Sequence, residues 1–438
     1  MTRLLPSVLI PHYPTASMCI IDHLKRLRDR LTSDHHVALA AGLFGLFLGS
    51  IFITDNVRAH RNIYYLLVIP LFALQVRASF FSGLIRSRVF QVTLLYLVYL
   101  WLSLFWASAT NAYNLYNEAR TLALMLVFLA VTAFFAVKMD RFPLLLAKCL
   151  GLVVGAAALI SLAWFYSTHS FASWGGLESR AVDIGLAAHP IDSAATYGLV
   201  AVLLMFTLFP GRPEPKLGAW LWPLSLIAVM AFIAMTQTRG VIISLAGVTA
   251  LGLAAQKKRR LLLILAILTV ATLGVIIASM HHPEGMVGFE RRFAVRWEIW
   301  QVSLGLIREH PWFGFGLNEH QTLYLSHGGY EGVAHSLYLE NLLFGGLVGT
   351  GILGLLLAAA LRQSWREYRR NGDFLYPALV LFPMFSGIST GYLTLSKITP
   401  EWIQFWLPMG LIIGAELRSR GLLPNHRRPD VHDVGGKQ

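Results

Sequence analysis

Two residue types in this chain sit where their surroundings suit them to chemistry. One is a histidine where a polar stretch gives way to an apolar run; the others are arginines at corners between apolar runs. His335 is followed by Ser336 and a long apolar segment, which places it near a helix N-terminus. The helix dipole opposes added positive charge there, so a neutral imidazole is expected, able to accept a proton as a general base. Arg239 lies in "TQTRGVIISL" with Thr236, Thr238 and Gly240, a corner too short for anything but a tight turn. A permanent charge there calls for an anion, and the guanidinium fork matches phosphate oxygens bidentately. Arg180, in "LESRAVDIGLAAHPID", lies in another polar loop and can join it. The plainer alternatives are an inert, hydrogen-bonded interfacial histidine and arginines that snorkel to lipid phosphates.

The polar stretch His281 to His335 begins as an amphipathic helix. Phe289, Phe293, Trp297, Trp300, Leu304 and Ile307 recur at intervals of three and four and predict one apolar stripe. That stripe is expected to pack over neighbouring helices as a cover, or to dip into the membrane interface. Arg292 and Arg296 are four apart and lie one above the other on an adjoining face; for Arg291, Arg292 and Arg308 a plain reading, solvated or facing lipid head groups, stands equally beside a functional one. Pro311, Gly314 and Gly316 end the helix in a turn, and "GFG" is too short to serve as a phosphate-binding loop. The stretch also holds His281, His282, His310, His320 and His327, with Glu284, Glu290 and Glu319 scattered among them. No HExxH or comparable pair appears, so no metal is expected.

The elements that must position these residues are membrane helices. The chain has 438 residues, 56% of them hydrophobic and only 13% charged, with repeated charge-free runs of bilayer length. A β-barrel would show short alternating segments instead. Twelve spans are expected at about 37–54, 62–77, 89–108, 119–138, 143–166, 191–209, 217–236, 240–256, 261–280, 337–361, 374–396 and 401–417. The division that follows is a 1–36 N-terminal segment, 37–280 with spans one to nine, 281–336 as one large loop, 337–417 with spans ten to twelve, and a 418–438 tail. The expected class is an all-α polytopic membrane protein with its large helical loop between spans nine and ten.

The net charge of +13 suggests nucleic acid only until its distribution is read. Of the 36 Lys and Arg, 25 fall on the side that holds both termini and 10 on the other, with Lys148 inside a span. This is a topology signal that places both termini in the cytoplasm, and nucleic acid is not an expected partner. Residues 20–31, with Ile20, Leu24, Leu27 and Leu31 beside Lys25, Arg26, Arg28 and Arg30, read either as a basic helix on the membrane surface or as a solvated leader. No cleavable signal peptide and no disulfide between Cys19 and Cys149 are expected, and the Pro-, Gly- and His-containing tail is expected to be disordered. Ionisable residues avoid the span centres and gather at the outer ends. Ion-coupled transport keeps such groups near the midplane, so the pattern favours surface chemistry on a membrane-held substrate.

Taken together, these features resemble the O-antigen ligase and polymerase superfamily of bacterial envelope enzymes. The matching pieces are Arg180 ahead of a Pro-containing helix start, the TxTRG turn at Thr236 to Gly240, "RWEIWQVSLGLIREHPWFGFGLNEH" from Arg296, and "AHSLYLENLLFGGLVGTGIL" from Ala334. The likeness runs from about span one to span twelve, with motifs confined to residues 180–354. It implies a glycosyltransferase of the inner membrane, active on the periplasmic face. Such an enzyme moves a polysaccharide from undecaprenyl pyrophosphate to a hydroxyl of the lipid A–core oligosaccharide, without metal, nucleotide sugar or other cofactor. On that scheme His335 is the general base, Arg180 and Arg239 clamp the pyrophosphate, and Arg296 joins the clamp or orients the loop. Arg292, Ser336 and Thr238 are supporting residues. Direct displacement inverts the anomeric centre. The expected partners are the lipid-linked donor, the lipid A–core acceptor and membrane lipids, and the enzyme is expected to be a monomer. An O-antigen polymerase or a protein O-oligosaccharyltransferase shares the donor. A transporter of a lipid-linked anionic glycan is the alternative from another class, disfavoured by the charge-poor span centres.

Overall fold

A computed structural model of the chain describes residues 34–108, 110–168, 180–208, 216–258, 283–317, 322–325, 328–331, 334–391 and 395–422. The expected leader helix at 20–31, span nine at 261–280 and the tail beyond 422 lie outside these residues, as do the side chains of 283–293, including Arg291 and Arg292.

The architecture is helical. In order run α1 (Asp34–Ser50), α2 (Val57–Gln75), α3 (Ala78–Arg86), α4 (Arg88–Leu102), α5 (Ala112–Lys138), α6 (Phe142–Thr168), α7 (Pro190–Leu208), α8 (Lys216–Met235), α9 (Arg239–Ala255) and α10 (Pro283–Glu309). After a short ribbon come α11 (Leu337–Asn371), α12 (Leu375–Ser386) and α13 (Leu407–Ser419), the last led by a π turn at Trp402–Trp406. Among the described residues five helices are long and apolar enough to cross a membrane, or six if α2 and α3, bent by 95°, count as one span. The chain is thus a multi-pass helical membrane protein.

Several boundaries differ from the sequence reading. Strands β1 (Thr322–Leu325) and β2 (Gly328–Glu331) pair antiparallel, with Thr322 opposite Glu331 and Leu325 opposite Gly328. Four-residue strands are too short to carry a periodic signal. Span eleven shrinks to the twelve residues of α12, because the chain turns at 387–389. Span ten extends past 361 to Asn371, so Arg362, Arg366, Arg369 and Arg370 are helical and not in a loop. Arginines are good helix formers and favour a helix C-terminus, and Gly372, left-handed at φ 69°, supplies the stop.

Small residues let the helices meet. Gly410 and Gly414 of α13 face α5 so closely that a Cβ would stand 2.6 Å from Thr132 Cβ and 2.5 Å from Ala136 Cβ. The decisive close approach is at Gly346, where α11 breaks (φ 63°, ψ −165°). The break orphans four backbone groups, each costing about 2 kcal/mol or more if left unpaired away from water. The segment after α10 satisfies all four. Leu347 and Val348 donate to Pro311 O (2.8 Å) and Trp312 O (3.1 Å), and Phe315 and Gly316 donate to Leu343 O and Phe344 O (both 2.9 Å). The "PWFGFG" and "FGG" stretches are therefore two halves of one contact, which fixes α10 against α11.

Candidate active site

Helix starts converge on His335. The loop ahead of α7 is pinned at three places: Ala181 N–H donates to Met235 O (3.0 Å), Leu186 N–H to Ile51 O (2.8 Å), and Tyr197 Oη to Asp183 Oδ1 (2.6 Å). Burial lifts the Asp183 carboxyl to about 7, against the hydrogen bonds from Tyr197 and the neighbouring backbone. So pinned, the loop presents Arg180 at one end and His189 at the other.

Arg180 is gripped by the corner before α9. Its Nε donates to Thr236 O (2.8 Å) and its Nη2 to Thr238 Oγ1 (3.0 Å). Thr238 Oγ1 in turn donates to Pro190 O (3.2 Å), so the corner ties Arg180 to the first residue of α7. The corner needs Gln237 at φ 54°, left-handed in a residue that resists it by about 1 kcal/mol. Arg239 follows on the first turn of α9, exposed, beside the Thr238 that Arg180 holds.

His335 has φ 51°, a second non-glycine residue in the left-handed region, and its ring stacks on His189 (6.2 Å between centroids, planes 9° apart). Strain of this kind, at about 1–3 kcal/mol, persists where surrounding structure holds it, and such residues cluster at functional sites. Here the holding is visible. Leu337 N–H meets Gly387 O (2.8 Å) and Thr390 O (3.0 Å), and Trp300 Nε1 of α10 donates to Ala334 O (3.0 Å). The corner after α12 touches α9 as well: a Cβ on Gly240 would overlap Ser389 Oγ.

The imidazole of His335 is depressed to about 4, first by burial and then by the charges of Arg296, His189 and Arg180. The neutral form expected from the sequence is what the structure favours, through burial first and then three neighbouring cationic or basic groups. His189 is lowered too, by burial and Arg180. Arg180, Arg296 and His335 are thus brought together, with Arg239 one residue beyond the corner that Arg180 binds.

His189 was missed in the sequence reading. Its only signal was a histidine before the proline that starts α7, echoing the histidine before the start of α11. The stripe along α10 divides between the protein and the outside. Among its described side chains Ile299 (3% exposed) and Ser303 are buried, whereas Trp297 (52%) and Leu304 (44%) face outward. Helical period finds an apolar face but cannot tell protein from lipid interface as its destination. Between α10 and the start of α11 lies a pocket of about 580 Å³ lined by Trp297, Trp300, Gln301, Leu304, Arg308, Ser336, Leu339 and Ile388. Ser336 caps α11 by position and opens onto this pocket beside His335. Among the described residues no trio of His, Cys, Asp or Glu is grouped as a metal would need.

Comparison with known proteins bears on the family of the chain. A family model described as O-antigen ligase matches residues 224–359, which take in Arg239, Arg296 and His335 but not Arg180. An O-antigen ligase of Pseudomonas aeruginosa is 28% identical over 406 residues, covering 91% of this chain and 95% of the other. The motifs, the family match over residues 224–359 and this near full-length similarity all point to the O-antigen ligase superfamily.

Proposed function

We propose that the chain is an O-antigen ligase of the bacterial inner membrane, spanning it twelve times with both termini cytoplasmic and its site periplasmic. It takes the polysaccharide from undecaprenyl pyrophosphate and joins it to a hydroxyl of lipid A–core. The observation that carries this reading is the convergence of Arg180, Arg296 and His189 on a strained, half-buried His335.

The chemistry needs a leaving group and a base. Pyrophosphate leaves readily once its charge is neutralised, and Arg180, already oriented by the 236–238 corner, does this with little reorganisation. Arg239 and Arg296 complete the clamp, and the N-termini of α7 and α9 add positive potential. The acceptor oxygen attacks the anomeric carbon, the bond to the pyrophosphate oxygen breaks, and His335 takes the hydroxyl proton. Displacement from the far face inverts the centre. An imidazole at about 4 is a weak base, but its depression comes partly from Arg296 and Arg180. A bound pyrophosphate places opposing negative charge among those groups and raises the basicity of His335. Donor binding therefore arms the base. The pocket beside Ser336, aromatic with a few polar groups, suits the sugar nearest the reacting bond.

The test is reconstitution of the purified chain with lipid-linked glycan and lipid A–core. A new core-linked polymer is expected. Polymer growing on a second lipid-linked glycan would instead indicate a polymerase, glycan on a protein serine a protein transferase, and translocation without a new bond a transporter.

A further inference from the structure

At the other end of α11 lies a second cationic pocket. Arg366, Arg369 and Arg370 come from the last turns of α11, Arg88 from the start of α4 and Arg420 from the end of α13, around about 540 Å³. The part of α11 beyond the break at Gly346 alone runs about 30 Å to Arg366 at 1.5 Å per residue, which sets this pocket far from His335. We propose that it binds the phosphate headgroup of an anionic phospholipid in the leaflet opposite the candidate active site.

The charge is not neutralised locally. Glu416, buried, accepts from Arg420 Nη1 (2.7 Å), Ser87 Oγ (2.6 Å) and Val89 N–H (3.1 Å), so it is engaged in anchoring α4 to α13. Glu367 is buried and accepts from Gln363 Nε2 (3.0 Å), which also reaches Ser419 Oγ (3.0 Å). Five arginines against these two carboxylates leave an excess of three positive charges facing one cavity. None of the ion pairs among the described residues engages Arg88, Arg366, Arg369 or Arg370.

A bias of positive charge toward the cytoplasm needs no cavity. A cavity between helices with excess arginine is what phosphate-bearing headgroups occupy at that level of a membrane protein. The surroundings favour a lipid over a soluble phosphate. Trp365, 46% exposed and 5.2 Å from the Tyr368 ring, sits one turn before Arg369, as an aromatic at headgroup depth does. Leu95 of α4, 51% exposed about two turns after Arg88, offers an apolar surface to an acyl chain beside a bound headgroup.

Purified full-length protein in detergent, titrated with cardiolipin, phosphatidylglycerol, phosphatidylethanolamine or inorganic pyrophosphate and read by native mass spectrometry, tests the assignment. The two anionic lipids are expected to bind and the zwitterionic one not. R366Q/R370Q is expected to weaken binding about 30-fold, at about 1 kcal/mol per arginine near an anionic surface. Equal retention of phosphatidylethanolamine, or wild-type binding by a double variant that melts like the wild type, would overturn it. Pyrophosphate binding as tightly as the lipids would overturn the lipid as the ligand. R88Q/R369Q repeats the test if the first variant folds poorly. Ligation at the opposite face is a separate readout, so this proposal and the ligase reading fail independently.

Discussion

The two ends of α11 hold the same kind of residue to opposite effect. At the Arg366 to Arg370 end the arginines are many and exposed, and their charge is read as a sum. At the His335 end they are few. Arg180 has two donors fixed by one corner, and burial, then Arg296, His189 and Arg180, depress a histidine that the fold holds in a strained conformation. The comparison teaches that catalytic use of charge follows from fixed geometry and partial burial, where effective dielectric is low, and not from its amount. It also explains why the net charge of +13 says more about orientation in the membrane than about the site.

The comparison can be broken most directly at His335. His335→Ala is expected to lower turnover in the reconstituted ligation about 10³-fold, in the range of a lost general base, with little change in donor KM. A variant that folds and ligates near the wild-type rate would remove the base from the scheme. Arg180→Ala is expected to cost about 10²-fold in kcat/KM, and Arg180→Lys to recover only part of it, because an ammonium cannot reproduce the two-point grip on the corner. Full recovery by lysine would mean that charge alone matters, as at the other end of the helix.

Gly346→Ala tests the scaffold. A Cβ there would stand 2.4 Å from Trp312 C, at a φ that alanine resists, so thermal unfolding should show a loss of about 2 kcal/mol or more. An unchanged melting temperature would show that the break does not fix α10 to α11.

Arg296→Gln should have a milder, pH-dependent effect. Its charge helps hold His335 at about 4, so removing it raises the free-enzyme pKa toward 6.5. The base must be neutral, so kcat/KM should fall more near pH 5 than at pH 8, where this cause has little effect. A profile displaced toward lower pH would refute the electrostatic link. The same lowering bears on stability. His335 binds a proton more readily unfolded (6.5) than folded (about 4), so its contribution is full above 6.5 and is lost as pH falls from there toward 4. Thermal melts of wild type and His335→Ala between pH 7.5 and 5 should diverge in that sense. The smallest effect is expected from R366Q/R370Q on ligation itself, within about twofold, since charges several Debye lengths away are screened.

Much of this was legible in one dimension. Apolar runs of bilayer length, glycines and prolines at corners, and the bias of Lys and Arg are local properties, and they carried the helical membrane class and drew attention to Arg180, Arg239, Arg296 and His335. What no linear reading could supply is which corners meet. His189 matters because α7 and α11 begin side by side, 146 positions apart in sequence but ring on ring in space. The "PWFGFG" and "FGG" stretches make sense only once the broken backbone of α11 is seen to take its missing hydrogen bonds from the segment after α10. Residue type and spacing record what a segment prefers by itself. The low basicity of His335, the orientation of Arg180 and the two left-handed residues at the site exist only through contacts between distant segments, and those the tertiary structure alone decided.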